Sequence, residues 1–271
     1  VVNTKFFGGF MKIAVCIKQV PDPEKFSAGS FEKDWRLSRD SYPKTTNPVD
    51  KNALELALQL AGQDPVEVIT VGPEGAKEAL REMLSIGASS AVHIKDPALE
   101  GADLLSTTIA LSAAIKKRGP FDIIICGKQS TDAGNASIPS MLAEMLGLPS
   151  STGCEKVEFV DGKLFAYQPG DLGMVVWKIE LPCVLSVTKN INTPRLPSLR
   201  GMTKAMQTEI AMYDLQSLGI ESLPEGRLQP GNIIDSKRIT REVTTQIFEG
   251  ETSQVKTAAL LMSLREKGLI Q

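Results

Sequence analysis

The sequence predicts an α/β protein built on a doubly wound, mostly parallel, Rossmann-like sheet with antiparallel additions and an extended C-terminal arm. Two observations carry that expectation. Short runs of apolar residues lack the polar alternation of a half-exposed strand, and stretches with helical spacing separate them. A third observation is size: 271 residues, 42% hydrophobic and 23% charged, are enough for a large core and for a single α/β domain with extensions.

Lys12-Ile13-Ala14-Val15-Cys16-Ile17-Lys18 reads as a strand buried on both faces, and it closes in the turn residues Pro21-Asp22-Pro23. Residues 24–46 are polar and mixed. Asn47-Pro48-Val49-Asp50, followed by Ala53, Leu54, Leu56, Ala57, Leu58 and Leu60, predicts a capped helix with Asp50 as its N-cap. A second strand ends at Val71-Gly72. A helix then runs from Pro73-Glu74-Gly75 to about Ile86, and a third strand surrounds His93. The alternation continues with a helix over about 102–117, the strand Ile123-Ile124-Ile125-Cys126-Gly127 and a helix from about Ile138 to Leu146.

From residue 154 the rhythm changes. Residues 155–160 and 163–167 flank Asp161-Gly162, the signature of a hairpin with a two-residue turn. Residues 175–181 and 184–188 add strands, expected as antiparallel additions to the same sheet. Residues 193–206 hold two prolines and a glycine among Leu and Met, and read as a surface loop that starts a helix. Beyond 216 the chain is polar until an expected amphipathic helix over about 253–267. The organisation is therefore a leader or tag-like segment over 1–10, an α/β domain over 11–215, and a C-terminal arm over 216–271 that packs on another molecule.

Composition excludes several functions. Thirty Lys+Arg against 32 Asp+Glu give a net charge of -2, so no general basic field collects nucleic acid. No apolar run reaches the ~18 residues needed to span a membrane. The one histidine, His93, lies inside Ser90-Ala91-Val92-His93-Ile94 and reads as an ordinary strand residue, which leaves no histidine-based triad, metal centre or acid–base pair. The four cysteines (16, 126, 154 and 183) are far apart, with no zinc-like spacing, and point to a reducing, cytoplasmic location. No catalytic residue and no metal ligand is assigned.

Ligands of such sheets bind beyond the carboxyl ends of the strands. The richest segment there is Gly127-Lys128-Gln129-Ser130-Thr131-Asp132-Ala133-Gly134-Asn135-Ala136-Ser137, between a strand and a helix. Its glycines and hydroxyls suit a phosphate at a helix N-terminus; it is equally a βα loop with good capping residues. Neither GxGxxG nor GxxxxGK[ST] is present, which argues against a dinucleotide dehydrogenase and a P-loop NTPase. Lys128 and Asp132, the loop's only charges, make a recognition pair rather than a nucleophile and base; Lys128 also reads as a solvated surface charge.

The loop Gly127-Lys128-Gln129-Ser130-Thr131-Asp132 resembles the adenine-nucleotide loop of the electron transfer flavoprotein beta subunit family. Three further segments are similar to that family's motifs, in order: residues 15–22, Asn47-Pro48-Val49-Asp50 with residues 53–57, and Asn192-Thr193-Pro194-Arg195-Leu196-Pro197-Ser198-Leu199-Arg200-Gly201. The likeness runs from Met11 to about Met206 and weakens beyond 216. It implies a heterodimer with an alpha subunit that holds the redox-active FAD, and an electron carrier rather than a stand-alone enzyme. By correspondence, Cys16, Asn47, Pro48, Val49, Asp50, Val71, residues 127–137 and Ile138 line a pocket for AMP, or for a second FAD in electron-bifurcating members. Leu199, in the partner-recognition loop 193–203, takes the place of the anchor that docks on an acyl-CoA or similar dehydrogenase; its bland alternative is packing in its own core. The segments 18–22 and 47–50 look like the bifurcating kind. Asp132-Ala133-Gly134-Asn135-Ala136-Ser137 is nearer to some AMP-binding relatives, and the Lys-rich stretch of many of those is replaced by Thr203-Lys204-Ala205-Met206-Gln207-Thr208. The balance tips slightly to AMP. A stand-alone nucleotide sensor of the universal-stress type would explain residues 11–150, but it leaves the Leu199 loop and the terminal helix without a task.

Overall fold

The long apolar runs become strands that bury both faces. A computed structural model describes residues 10–25, 42–160, 162–224 and 244–270. In chain order it contains β1 (Ile13–Cys16), β2 (Gln19–Pro21), β3 (Lys44–Thr46), α1 (Pro48–Ala61), β4 (Val66–Val71), α2 (Lys77–Ile86), β5 (Ser90–Ile94), α3 (Leu104–Arg118), β6 (Ile123–Gly127) and α4 (Ile138–Leu146). There follow β7 (Ser150–Cys154), β8 (Lys156–Val160), β9 (Lys163–Gly170), β10 (Gly173–Ile179), β11 (Cys183–Val187), α5 (Leu199–Gln207), β12 (Ile210–Tyr213) and α6 (Ser253–Glu266).

Seven strands form one sheet in the order β12-β5-β4-β1-β6-β11-β7, and every neighbouring pair is parallel. Alternate residues of each strand feed different layers. Ile13, Val15, Ile123 and Ile125 pack with Leu54, Leu80 and Met83 of α1 and α2. Ala14, Cys16, Ile124 and Cys126 pack with Ala110, Leu111 and Leu142 of α3 and α4. With apolar groups required on both sides, the strands have no polar alternation. Strand order reverses at β1, which lies between β4 and β6. The crevice outside the carboxyl ends of β1 and β6 is thus the place where this topology receives a ligand.

The antiparallel additions stand apart from the main sheet. The strands β10-β9-β8 make a three-stranded sheet and β2-β3 a two-stranded one, while β11 lies parallel inside the main sheet rather than antiparallel to it. The reason is burial: β11 is buried along its whole length, as an interior parallel strand must be, whereas β10 is exposed from Gly173 to Lys178. Val160 faces Lys163 across the expected two-residue turn, with Gly162 at φ +74; residue 161 lies outside the described residues.

Helix α1 corrects its expected cap. Asn47, not Asp50, is the N-cap, because Pro48 occupies the first helical position and Asp50 falls in the first turn. The segment after β11 crosses the sheet from its sixth strand to β12 at the first, on the side of α1 and α2. There α5 lies on α2, with Gly201 so close to the Ser85 carbonyl that a methyl group would sit 2.1 Å from its oxygen.

The chain divides into two units, and the second carries α6. Thr252 caps that helix through a hydrogen bond from the Val255 N–H. Its apolar residues do not form the expected single stripe. At 100° per residue Val255, Leu260, Leu261, Met262 and Leu264 spread around the axis, and none is buried. Of residues 1–10, expected as a leader or tag-like segment, all but Phe10 lie outside the described residues. Among the described residues no helix is long and apolar enough to cross a membrane.

Candidate functional site

The first turn of α1, Lys18 two residues past β1 and the loop after β6 meet at the switch point. Asn47 and Asp50 are both buried there. The backbone of Lys18 is held from two sides: its N–H donates to Asp50 Oδ2 at 2.8 Å, and its carbonyl accepts from the Asn47 N–H at 2.9 Å. The Asn47 side chain then brackets the loop that follows β6. Its Nδ2 donates to the Gln129 carbonyl at 3.1 Å and to Asp50 Oδ1 at 2.9 Å, while its Oδ1 accepts from the Thr131 N–H at 3.2 Å. One amide therefore fixes the course of residues 129–131.

Gly127 allows this approach. A methyl group there would lie 2.2 Å from Asp50 Oδ1 and 3.2 Å from the Asp50 nitrogen and the Val49 carbonyl carbon, so only glycine lets the turn of α1 close on β6. Burial raises the Asp50 carboxyl to about 7, against the pull of hydrogen bonds from Asn47, Lys18 and Gly127. Below Asp50 stand Cys16 and Cys126, in register on adjacent strands and both free thiols. The hydrogen bond with Cys16, burial and the charge of Asp50 push the Cys126 thiol well above its ordinary value, so it is an inert thiol and no nucleophile.

A second clamp closes the loop. Lys18 Nζ lies 2.8 Å from both carboxylate oxygens of Asp132, whose side chain is only 2% exposed. Of the two charges expected to serve recognition, Asp132 is paired with Lys18. The Lys128 side chain instead runs along Gly153, and among the described residues its ammonium has no partner. Gly134 is at φ +67, and Ala136, at φ +52, is the one non-glycine residue with positive φ among those described. Such a conformation costs on the order of 1 kcal/mol or more and persists where surroundings impose it. Ser137 spends its hydroxyl on the Asn135 carbonyl, so no side chain caps α4, whose second residue is Pro139. Exposed backbone N–H groups at an uncapped helix start, a glycine-bearing loop and an unpaired ammonium together suit a phosphate.

Pro48 and Val49 belong to the α1 turn, Gly127 ends β6, residues 128–137 form the loop and Ile138 opens α4, so these predicted residues come together. Cys16 lies beneath them. Val71 ends β4 beside β1, two residues past the position level with Cys16. Lys18 is the residue that spacing could not single out: its partner is 114 positions away. His93 is fully buried in β5, as expected of a strand residue; its Nε2 donates to the Gly72 carbonyl at 2.9 Å, and burial lowers its pKa, keeping it neutral. It shapes the turn after Val71.

The predicted recognition loop lies elsewhere on the molecule. Leu196 and Leu199 are each 85% exposed, so Leu199 does not pack in its own core. Leu199, Met202 and Met206 follow one another at i, i+3 and i+7 along α5 and continue one exposed apolar face. Ser198 caps α5 by accepting the Gly201 N–H at 2.9 Å.

Comparison with known proteins gives this arrangement relatives. Residues 34–217 match the family model of the electron transfer flavoprotein domain. The chain is 35% identical over 232 residues to the electron transfer flavoprotein subunit beta of Mycobacterium tuberculosis, covering 82% of this chain and 86% of that protein. It is 32% identical over 264 residues to the caffeyl-CoA reductase-Etf complex subunit CarD of Acetobacterium woodii, covering 96% of this chain and all of that protein. With the subunit beta of Clostridium acetobutylicum it shares 36% identity over 238 residues, covering 87% and 90% of the two chains.

Gly127→Ala is expected to lower stability by about 1–3 kcal/mol, read as a lower denaturant midpoint at unchanged slope, because the turn of α1 must move to admit the methyl group. Asp50 gives a pH signature. The folded chain holds its proton up to about 7, whereas the unfolded chain releases it near 3.8, so stability is fully present below 3.8 and falls as pH rises towards 7. The slope attributable to Asp50 reaches at most ~1.4 kcal/mol per pH unit and is absent from Asp50→Asn; urea midpoints of both proteins from pH 4 to 8 check it.

Proposed function

This chain belongs to the electron transfer flavoprotein family, in its beta-subunit branch, and from that membership we propose that it holds an adenine nucleotide at the β1–β6 switch point and presents the Leu199 loop to a redox partner. The family carries electrons, and a beta subunit implies an alpha subunit; under this reading that subunit holds the FAD. The nucleotide here is AMP, or a second FAD where the complex splits electron pairs. The electron donor is an acyl-CoA or related dehydrogenase, and the complex works in the cytoplasm.

The observation that carries the reading is the loop after β6, held open by Asn47 and Lys18 in front of an uncapped helix. The residues fit the group. Backbone N–H groups of the loop and of α4 face a phosphate, and Lys128 adds charge beside it. Lys18 neutralises the Asp132 carboxylate, which would otherwise repel an anion inside its own binding loop. Asp50 and Asn47 make no chemistry; they fix the backbone that binds. The flavin supplies the redox chemistry when bound, so the protein's contribution is position and electrostatics.

The exposed leucines support the docking half of the reading. A short loop with prolines at 194 and 197 loses little freedom when Leu199 enters an apolar pocket on a partner. A stand-alone nucleotide sensor would have no use for that face. Helix α6, with Val255, Leu260, Leu261 and Met262 exposed, is a second surface offered to the alpha subunit.

Nucleotides released by acid from the co-purified heterodimer and separated by chromatography test the pocket. One FAD plus AMP means a simple shuttle and two FAD a second flavin site, while FAD alone would refute nucleotide binding by this chain. Leu199→Ala is expected to slow electron transfer from the dehydrogenase at least several-fold with flavin content unchanged; a loss of FAD would place Leu199 at the subunit interface instead.

A further inference from the structure

We propose that Asn52 and Glu55 of α1 are positioning residues for the docking segment, fixing the height and angle at which Leu196 and Leu199 meet the redox partner. The inference rests on reading the Leu199 loop as the docking surface. Its ground is a set of contacts that the nucleotide site does not use.

Between Val187 and Leu199 the chain has no regular structure, yet it holds two large apolar side chains in solvent. An untethered loop of this kind would fold its leucines inward or wander. Two residues one turn apart on α1 prevent that. Asn52 Nδ2 donates to the Asn192 carbonyl at 2.8 Å and to Asn192 Oδ1 at 3.0 Å, and Asn192 Nδ2 donates back to the Asn52 carbonyl at 3.0 Å. Glu55 grips Arg195 three times: Nε to Oε2 at 2.7 Å, Nη2 to Oε1 at 3.1 Å and the backbone N–H to Oε2 at 3.2 Å. Gln59 donates to Oε1 at 2.8 Å and completes the carboxylate's shell.

The pair is placed where a purely structural contact would be expensive. Both Asn52 and Glu55 are buried, on a helix whose other buried side chains are largely apolar, and an apolar residue at 55 would desolvate at less cost. Burial alone would raise the Glu55 carboxyl, but the Arg195 fork outweighs it and holds the group below its ordinary value, so the grip is ionic at neutral pH. The geometry also matters. A bidentate guanidinium fixes an angle as well as a distance, and Arg195 immediately precedes Leu196. At the far end Ser198 caps α5, Gly201 seats it on α2, and the Arg81 guanidinium holds the carbonyls of Ala205 and Thr208. The docking leucines sit between two anchors, and the first of them is the Asn52–Glu55 grip.

The test uses the heterodimer, loaded with its flavin, in steady-state electron transfer from an acyl-CoA dehydrogenase. Glu55→Gln keeps the shape of the side chain and removes the ionic grip. Expected is a KM for the dehydrogenase raised about tenfold, with kcat at saturation and flavin and nucleotide content unchanged. Arg195→Gln should have the same effect, and the double variant should cost no more than either single one, since both remove one interaction. An unchanged KM in Glu55→Gln, additive effects in the double variant, or loss of bound nucleotide would each overturn the proposal. Leu199→Ala, measured alongside, separates the two readings. If it leaves KM unchanged the docking surface itself is wrong, whereas a raised KM there with none in Glu55→Gln removes only the positioning role.

Discussion

Where a side chain at position 127 would stand, the first turn of α1 stands instead. That close approach brings the Asp50 carboxylate onto the end of β6, Asn47 into reach of the next loop, and the backbone of Lys18 between them. The polar groups involved are buried, so each needs its partner, and leaving one unpaired would cost on the order of 1–3 kcal/mol. The network is therefore fixed as a whole. Removing the approach at Gly127 would release residues 129–131, although none of them had been altered.

Other features follow from this junction. Because Asn47 reaches past Gln129 to Thr131, the loop cannot collapse onto α4 and cap it, and the helix start stays available. Because Lys18 stands only two residues past the end of β1, its side chain can cross to Asp132 and complete the clamp from the other side. Helix α1 then serves a second purpose immediately beyond its first turn, where Asn52 begins the grip on the segment after β11. One rigid element of fourteen residues thus sets the loop after β6 and the exposed leucines in a common frame.

Much of the α/β core was legible because two-sided burial writes itself into sequence as unbroken apolar runs; β1, β4, β5 and β6 and all four helices up to α4 fall where the pattern puts them. Strand β11 was legible as a strand but not as a parallel interior one, since Cys183 to Val187 follows a hairpin and partner choice is not a local property. Strand β12 was not foreseen at all: Ile-Ala-Met-Tyr is short, and pairing with β5 alone decides it. The site showed a similar division. The loop after β6 announces itself by composition, and Asn47 to Asp50 through a resemblance, whereas the partnership of Lys18 with Asp132 depends on a meeting of distant segments. Asp50 was misplaced as a cap because acidic residues suit both the cap and the first turn, and only Pro48 decides between them.

The crossing from β11 to β12 has a consequence for how the molecule is made. A chain leaving the ribosome delivers β1, α1, β6 and α4 before residue 150, and Gly153 and β11, which flank Lys128, before residue 188, so the residues that frame the loop after β6 exist while the segment that bears Leu196 and Leu199 is still unsynthesised. The segment then arrives on a scaffold already bearing Asn52, Glu55 and α2. It is drawn across that face before β12 can pair with β5 at the far edge of the sheet. The surface that bears Leu196 and Leu199 is thereby secured after every strand of the sheet but β12, and a nascent chain offers it only once the junction of β1, α1 and β6 can be built.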